Sequence, residues 1–189
     1  MLNKNNDDPI YLPAVIEFVA IAVELSSFLE KEETDTREEW IDKMLKLLPL
    51  LYVKASLLPD CFPLNDEPLA TFVREEDYAR VVIRVADIMG EDDVYLDVFL
   101  DEMKYSDTPI RATVSEDIAD IYQDIRNFVS VYQYELTDQM QDAIYICKEN
   151  FRLFWGQKLV NVLRPLHALK AVEATDDDNQ NEEESWDLQ

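Results

Sequence analysis

Between Pro13 and Lys31, apolar residues stand at Val15, Ile16, Phe18, Val19, Ala22, Val23 and Leu25, leaving only Glu17, Glu24 and Lys31 as a narrow polar stripe. A helix apolar on most of its circumference has to be covered on several sides, so this segment is predicted to be the central helix. Thr36 followed by Glu39 reads as a capping box that opens a second helix, with Trp40, Met44, Leu47, Leu48, Leu51, Tyr52 and Ala55 inward and Pro49 kinking it. Three prolines, Asn65 and acidic residues between Pro59 and Pro68 break any period and predict a loop, with Phe62 and Leu64 packing over the core.

Glu75 to Met89 predicts a third helix that turns Val81, Val82, Val85 and Ile88 inward and ends at Gly90, a residue suited to a left-handed cap. Asp92 to Met103 reads as a fourth helix carrying Tyr95, Val98 and Phe99. Ser115 is the expected cap of a fifth, in which Ile118, Ile121, Tyr122, Ile125, Val129 and Tyr132 keep helical spacing without a miss. A last helix is predicted from Asp138 to Lys170, with Ile144, Cys147, Phe151, Trp155, Leu159, Val162, Leu166 and Leu169 inward, weakened at Gly156 and bent or broken at Pro165. These elements predict an all-α, irregular bundle of six to seven helices in a single domain, residues 1–172. Residues 173–189 have one aromatic, Trp186, and no apolar period, so a disordered acidic tail is expected there, with Trp186 either a short docking motif or a chance occurrence.

Composition narrows the picture. Glycine occurs twice, at Gly90 and Gly156, which disfavours turn-rich β folds and leaves no glycine-rich phosphate loop. Cys61 and Cys147 are too few for a disulfide framework and are expected as reduced, packed thiols. The apolar run from Ala14 to Phe28 is interrupted by Glu17 and Glu24 and preceded by Asp7 and Asp8, which argues against a signal or membrane segment and predicts a cytoplasmic protein. Formal net charge is −24, and the chain through Val172 still holds 33 acids against 17 bases. Such a surface repels nucleic acid and anionic lipid and admits a basic protein partner or a cation.

Candidate chemistry centres on Asp117, Asp120 and Asp124, whose i, i+3, i+7 spacing sets them within about 60° around one helix. Three carboxylates on one flank repel and need compensation. The segment from Lys148 to Lys170 holds Lys148, Arg152, Lys158, Arg164 and Lys170 against Glu149 alone. Folding the last two helices about residue 135 sets Asp120 opposite Asn150 and predicts that Lys148 and Arg152 reach the aspartates. The alternative is a magnesium site built on the three aspartates; with Glu38, Glu39 and Asp42 they loosely imitate the acidic pairs of all-α magnesium pyrophosphohydrolases. One histidine, His167, excludes di-iron and zincin chemistry by count, and it is expected to be partly buried at a helix end. Arg152, Arg164 and His167 complete the candidate polar residues. No catalytic constellation and no cofactor motif is present.

The blocks EEDYARV, MGEDDVYLDVF, SEDIADIYQDI and FWGQKLVNVLRPLH, in that order between Thr71 and His167, resemble a bacterial family known only as a domain of unknown function. The resemblance implies a helical fold with no assigned activity. It also implies that any shared site draws on Asp117, Asp120, Asp124, Arg164 and His167. The family pattern carries a histidine before the Trp-Gly pair and an alanine at position 165; here Phe154 and Pro165 stand there. The expected function is a non-catalytic interaction or scaffold module, with a magnesium-dependent hydrolase of phosphorylated substrates and an acidic mimic of nucleic acid as alternatives.

Overall fold

A computed structural model describes residues 9–32, 35–65, 68–97 and 110–186, with side chains described through Ala171. Five helices account for most of it: α1 (Pro13–Glu30), α2 (Arg37–Ser56), α3 (Glu75–Met89), α4 (Val114–Gln133) and a long α5. The last is assembled from Thr137–Asn150, a π-helical turn at Phe151–Trp155, and Gly156–Trp186. The fold is mostly all-α, as expected, but with five helices rather than six or seven, because two expected events do not occur. Pro165 lies inside α5 without ending it.

The expected helix from Asp92 to Met103 is also absent where its residues are described. Gly90 adopts φ 58 and ψ −127, a conformation that side chains disfavour, and swings the chain out of α3 through a short 3-10 turn, Gly90–Asp93. Val94–Leu96 then forms β1, antiparallel to β2 at Arg111–Thr113, with Tyr95 opposite Ala112. Alternating Val, Tyr and Leu suits a half-buried strand once a partner is supplied, and local helical spacing cannot compete with that pairing. Val98, Phe99 and Met103 lie outside the described residues.

The centre of the bundle is α4 rather than α1. It buries twelve of its twenty residues, whereas α1 leaves Ile16 and Val23 exposed. Phe18 of α1 meets Phe128 of α4 edge to face at 5.1 Å, and Trp40 of α2 packs on Phe28. The inward stripe of α4 is the one its sequence predicts.

Helix starts are set by side chains. The Thr36 and Glu39 box forms as expected, with both reciprocal hydrogen bonds present. The cap of α4 is Thr113, not Ser115: Thr113 Oγ1 accepts from the Glu116 amide at 3.3 Å, and Ser115 instead donates its amide and hydroxyl to Asp93 at 2.8 and 2.7 Å. The carboxylate of Asp93 at this helix N-terminus ties the 3-10 turn to α4.

Phe62 and Leu64 do not pack inward; they are 81% and 68% exposed. The loop is held by polar groups instead. Buried Asp142 of α5 accepts from the Leu64 amide at 2.5 Å and from Asn65 at 2.6 Å, and Gln141 donates to the Phe62 carbonyl at 2.8 Å. Prolines prevent this segment from pairing its own backbone, so neighbouring side chains supply the partners. Both cysteines are free thiols, Cys147 buried and Cys61 partly so.

Beyond Ala171 the backbone continues as helix to Trp186, where the sequence predicts disorder. Trp186, which the sequence leaves as either a short docking motif or a chance occurrence, lies outside the described side chains.

Candidate functional site

Repulsion along the aspartate stripe is resolved across the α4–α5 seam by one residue. Lys158 Nζ lies 2.6 Å from Asp117 and 2.9 Å from Asp120, bridging the two carboxylates. Asp117 is nearly buried, with 7% of its side chain exposed, so this is a pair largely withdrawn from water. Two carboxylates facing one ammonium leave an excess negative charge, and two phenols offset it. Tyr95, delivered by β1, donates a very short hydrogen bond to Asp117, and Tyr78 of α3 donates to Asp120 at 3.0 Å. One turn of α5 further on, Asn161 receives Gln157 at 2.8 Å and donates to Asp97 at 2.8 Å, anchoring the end of β1. Phe154 closes the outer side, its ring centroid 5.2 Å from the Lys158 ammonium.

This network sets its own protonation states. Burial draws the Lys158 ammonium down, but its hydrogen bonds to Asp117 and Asp120 outweigh that, and the net shift is upward. Burial and the hydrogen bond to Asp120 push Tyr78 up to about 12; burial and Asp117 push Tyr95 up as well. At neutral pH the lysine is therefore a fixed cation and the phenols are neutral donors.

Asp124 has a different environment. It accepts from Asn150 at 2.5 Å and forms no ion pair among the described residues. Burial raises its carboxyl above the usual range; the Asn150 hydrogen bond opposes the shift and the charge of Asp120 adds to it. The facing register is one helical turn on from that expected by folding about residue 135, since Asn150 meets Asp124 rather than Asp120.

The other expected groups are placed elsewhere. Lys148 caps the Leu58 carbonyl at 2.7 Å and pairs with Asp60 at 2.6 Å, and Arg152 pairs with Glu149 at 2.8 Å. Asp42 pairs with Lys46 at 2.5 Å and Lys170 at 3.5 Å, while Glu39 serves the α2 cap. His167 and Arg164 are exposed in the interior of α5; the expectation of a partly buried histidine at a helix end fails because Pro165 does not end the helix. None of Arg152, Arg164 and His167 forms a hydrogen bond or ion pair with the aspartates. Among the described residues no group of three or more histidine, cysteine, aspartate or glutamate side chains is arranged to hold a metal ion, and the position between Asp117 and Asp120 is taken by the Lys158 ammonium.

Sequence reasoning places Lys158 in the compensating basic segment but selects Lys148 and Arg152 from it, and it misses Tyr78 and Tyr95. Tyr95 was assigned to a helix, which hid its approach to Asp117. The π turn decides which basic residue reaches the aspartates, and the sequence carries a sign of it. Cys147, Phe151, Trp155 and Leu159 advance in steps of four, and a straight α-helix would rotate such a row by about 120° over those three steps. The wider π turn cancels part of that drift and keeps the row inward. Gly156 makes the turn possible: a Cβ there would stand 2.4 Å from the Phe151 carbonyl oxygen and 2.9 Å from its ring.

The family model described as Domain of unknown function (DUF5063) matches residues 9–172. The chain belongs to this family. The match extends well beyond the Thr71–His167 blocks, covering α1 and α2 as well. Among solved structures, protein BF1032 from Bacteroides fragilis is similar at 46% identity and a TM-score of 0.76, over 86% of this chain and 95% of that one. No curated protein matches the chain. The DUF5063 match thus places the helical fold in a bacterial family and leaves its activity unassigned. No helix among the described residues is long and apolar enough to cross a membrane.

Proposed function

We propose that this DUF5063 chain is a non-catalytic binding module of the cytosol whose outer α2 face receives a basic, amphipathic segment of a partner protein. The observation that carries this reading is a set of apolar side chains turned to solvent. Leu50, Val53 and Leu57 are exposed at i, i+3 and i+7, so they share one face of α2 and its C-terminal end. Phe62 and Leu64 on the following loop are more exposed still. Burying an apolar side chain is worth about 1.5–3 kcal/mol, so a row of such residues held outward by a polar-anchored loop marks a surface that gains from being covered.

Net charge selects the partner. At a formal net charge of −24 the chain as a whole favours approach of Lys- and Arg-rich segments, and the two lysines beside the face, Lys46 and Lys54, are paired with Asp42 and Glu17. An amphipathic helix with apolar anchors on one side and basic residues around them answers both properties. The hydrolase reading needs a metal ion where the Lys158 ammonium stands, and the nucleic-acid-mimic reading rests on charge alone.

Tagged wild-type chain and a Val53→Asp, Phe62→Asp variant would be compared for stoichiometric partners at low and high salt. A basic partner held by the wild type, weakened at high salt and lost from the folded variant, is the expected outcome. Equal retention by both proteins would refute the α2 face.

A further inference from the structure

The unpaired end of the aspartate stripe opens onto a cavity of about 240 Å³ between the Pro68–Thr71 segment and the α4–α5 seam. Its polar lining is Thr71, Asp124, Asn127, Asn150 and Cys147, and the rest is apolar, with Leu69, Phe128 and Ile146 among the walls. At about 30 Å³ per water the space equals roughly eight waters, room for a small organic molecule.

We infer that this cavity binds a small organic ammonium ion, a primary amine on a short apolar body, with Asp124 as its counter-charge. A carboxylate accepts about four hydrogen bonds, and the one hydrogen bond Asp124 receives from a described residue comes from Asn150. A partly buried carboxylate calls for a cation, and the nearest stretch of the seam has none to lend: Lys158 is committed to Asp117 and Asp120, and Lys148 to Leu58 and Asp60. An ammonium group supplies charge and three donors at once. Asn127 fixes the mouth of the cavity, its Oδ1 accepting from the Phe72 and Val73 amides at 2.7 and 3.0 Å.

Competing ligand classes fit less well. An anion meets Asp124 and the neighbouring Asp120. Magnesium or calcium needs six or more oxygen ligands, and this lining offers one carboxylate. Cys147 adds no charge, since burial pushes its thiol well up and keeps it neutral. The apolar walls favour a hydrocarbon body over a free ammonium ion.

Wild-type protein is titrated with n-butylammonium chloride at constant ionic strength, following the side-chain amide resonances of Asn127 and Asn150 by NMR. Saturable shifts of these amides are expected, with a rise in Tm of about 3–6 °C at tenfold the dissociation constant. Neutral 1-butanol, of matching size, is expected to bind at least about tenfold more weakly, the loss of one hydrogen-bonded charge. Asp124→Asn should weaken the amine and spare the alcohol. Absence of saturation, equal response to amine and alcohol, or an unchanged amine affinity in Asp124→Asn would each overturn the proposal. If that variant does not fold, the amine–alcohol comparison in the wild type decides alone.

Discussion

Asp117 and Asp124 are the same residue type on the same flank of α4, two turns apart, and the fold treats them oppositely. Around Asp117 and Asp120 the facing helix delivers Lys158, while α3 and β1 deliver Tyr78 and Tyr95, so every charge meets a partner. Around Asp124 the facing helix delivers only the carboxamide of Asn150, and the space beside it stays open. Between Asn150 and Lys158 on α5 lies the π turn. Identical carboxylates thus become a structural tie or an uncompensated group according to which side of one helical irregularity faces them. Position on a stripe says little about a residue's role; the partner across the seam decides it.

The largest way to break this contrast is to remove the cation. Lys158→Ala leaves Asp117 buried without a counter-charge and is expected to cost about 3–5 kcal/mol in urea unfolding, turning the tied end into a second unpaired one. Lys158→Met keeps the methylene packing and empties the space between Asp117 and Asp120. Its Tm is expected to rise with magnesium at constant ionic strength while that of the wild type does not, and equal responses would show that the lysine does not exclude a metal ion.

Disturbing the π turn acts next. Gly156→Ala forces the Phe151 carbonyl and ring to move and is expected to cost about 1–3 kcal/mol, read as a lower unfolding midpoint. Because the turn sets which α5 residues face which aspartates, this variant should also shift the side-chain amide resonance of Asn150.

Raising the pH tests the tied end, on a background set by Tyr122 and the two thiols, which burial also shifts upward. Tyr78 and Tyr95 hold their protons above the ordinary phenol value of 10.0, so the folded state binds protons that the unfolded chain has already released. Their contribution is complete below pH 10 and is lost as pH rises through the folded values, which for Tyr78 lies at about 12. Lys158, also shifted upward, adds in the same direction. Stability measured from pH 9 to 12 should fall, and Tyr78→Phe should flatten that slope.

The smallest effect has the opposite sign. Asp124 is shifted upward from 3.8, so it favours the folded state below that pH and disfavours it once ionised. Asp124→Asn is therefore expected to raise the urea midpoint modestly at pH 7 and to lose that advantage below about pH 3.8. A destabilised variant at pH 7 would mean that the Asp124 carboxylate already has a compensating partner.

The local features were legible because local chemistry controls them. The Thr36 and Glu39 box, the inward stripe of α4 and the positive φ at Gly90 each depend on residues a few positions apart. Free thiols also followed from counting cysteines. Tyr95 shows where such reading ends, since its neighbours have helical spacing and only β2, some seventeen residues on, makes a strand of them. Phe62 and Leu64 make the same point from the apolar side: Asp142, distant in sequence, fixes their backbone and leaves their side chains outside.

By itself the sequence determined that this chain folds mainly as helices, which residues α4 turns inward, and that one flank of α4 carries more negative charge than it can balance. Each of these follows from spacing, propensity and charge count along a single stretch of chain. The tertiary structure alone decided that Lys158, rather than Lys148 or Arg152, balances Asp117 and Asp120, and that Asp124 faces a cavity. The physical reason is that pairing across a seam depends on the rotation of one helix against another, and a single extra residue in the π turn at Phe151–Trp155 resets that rotation for everything beyond it.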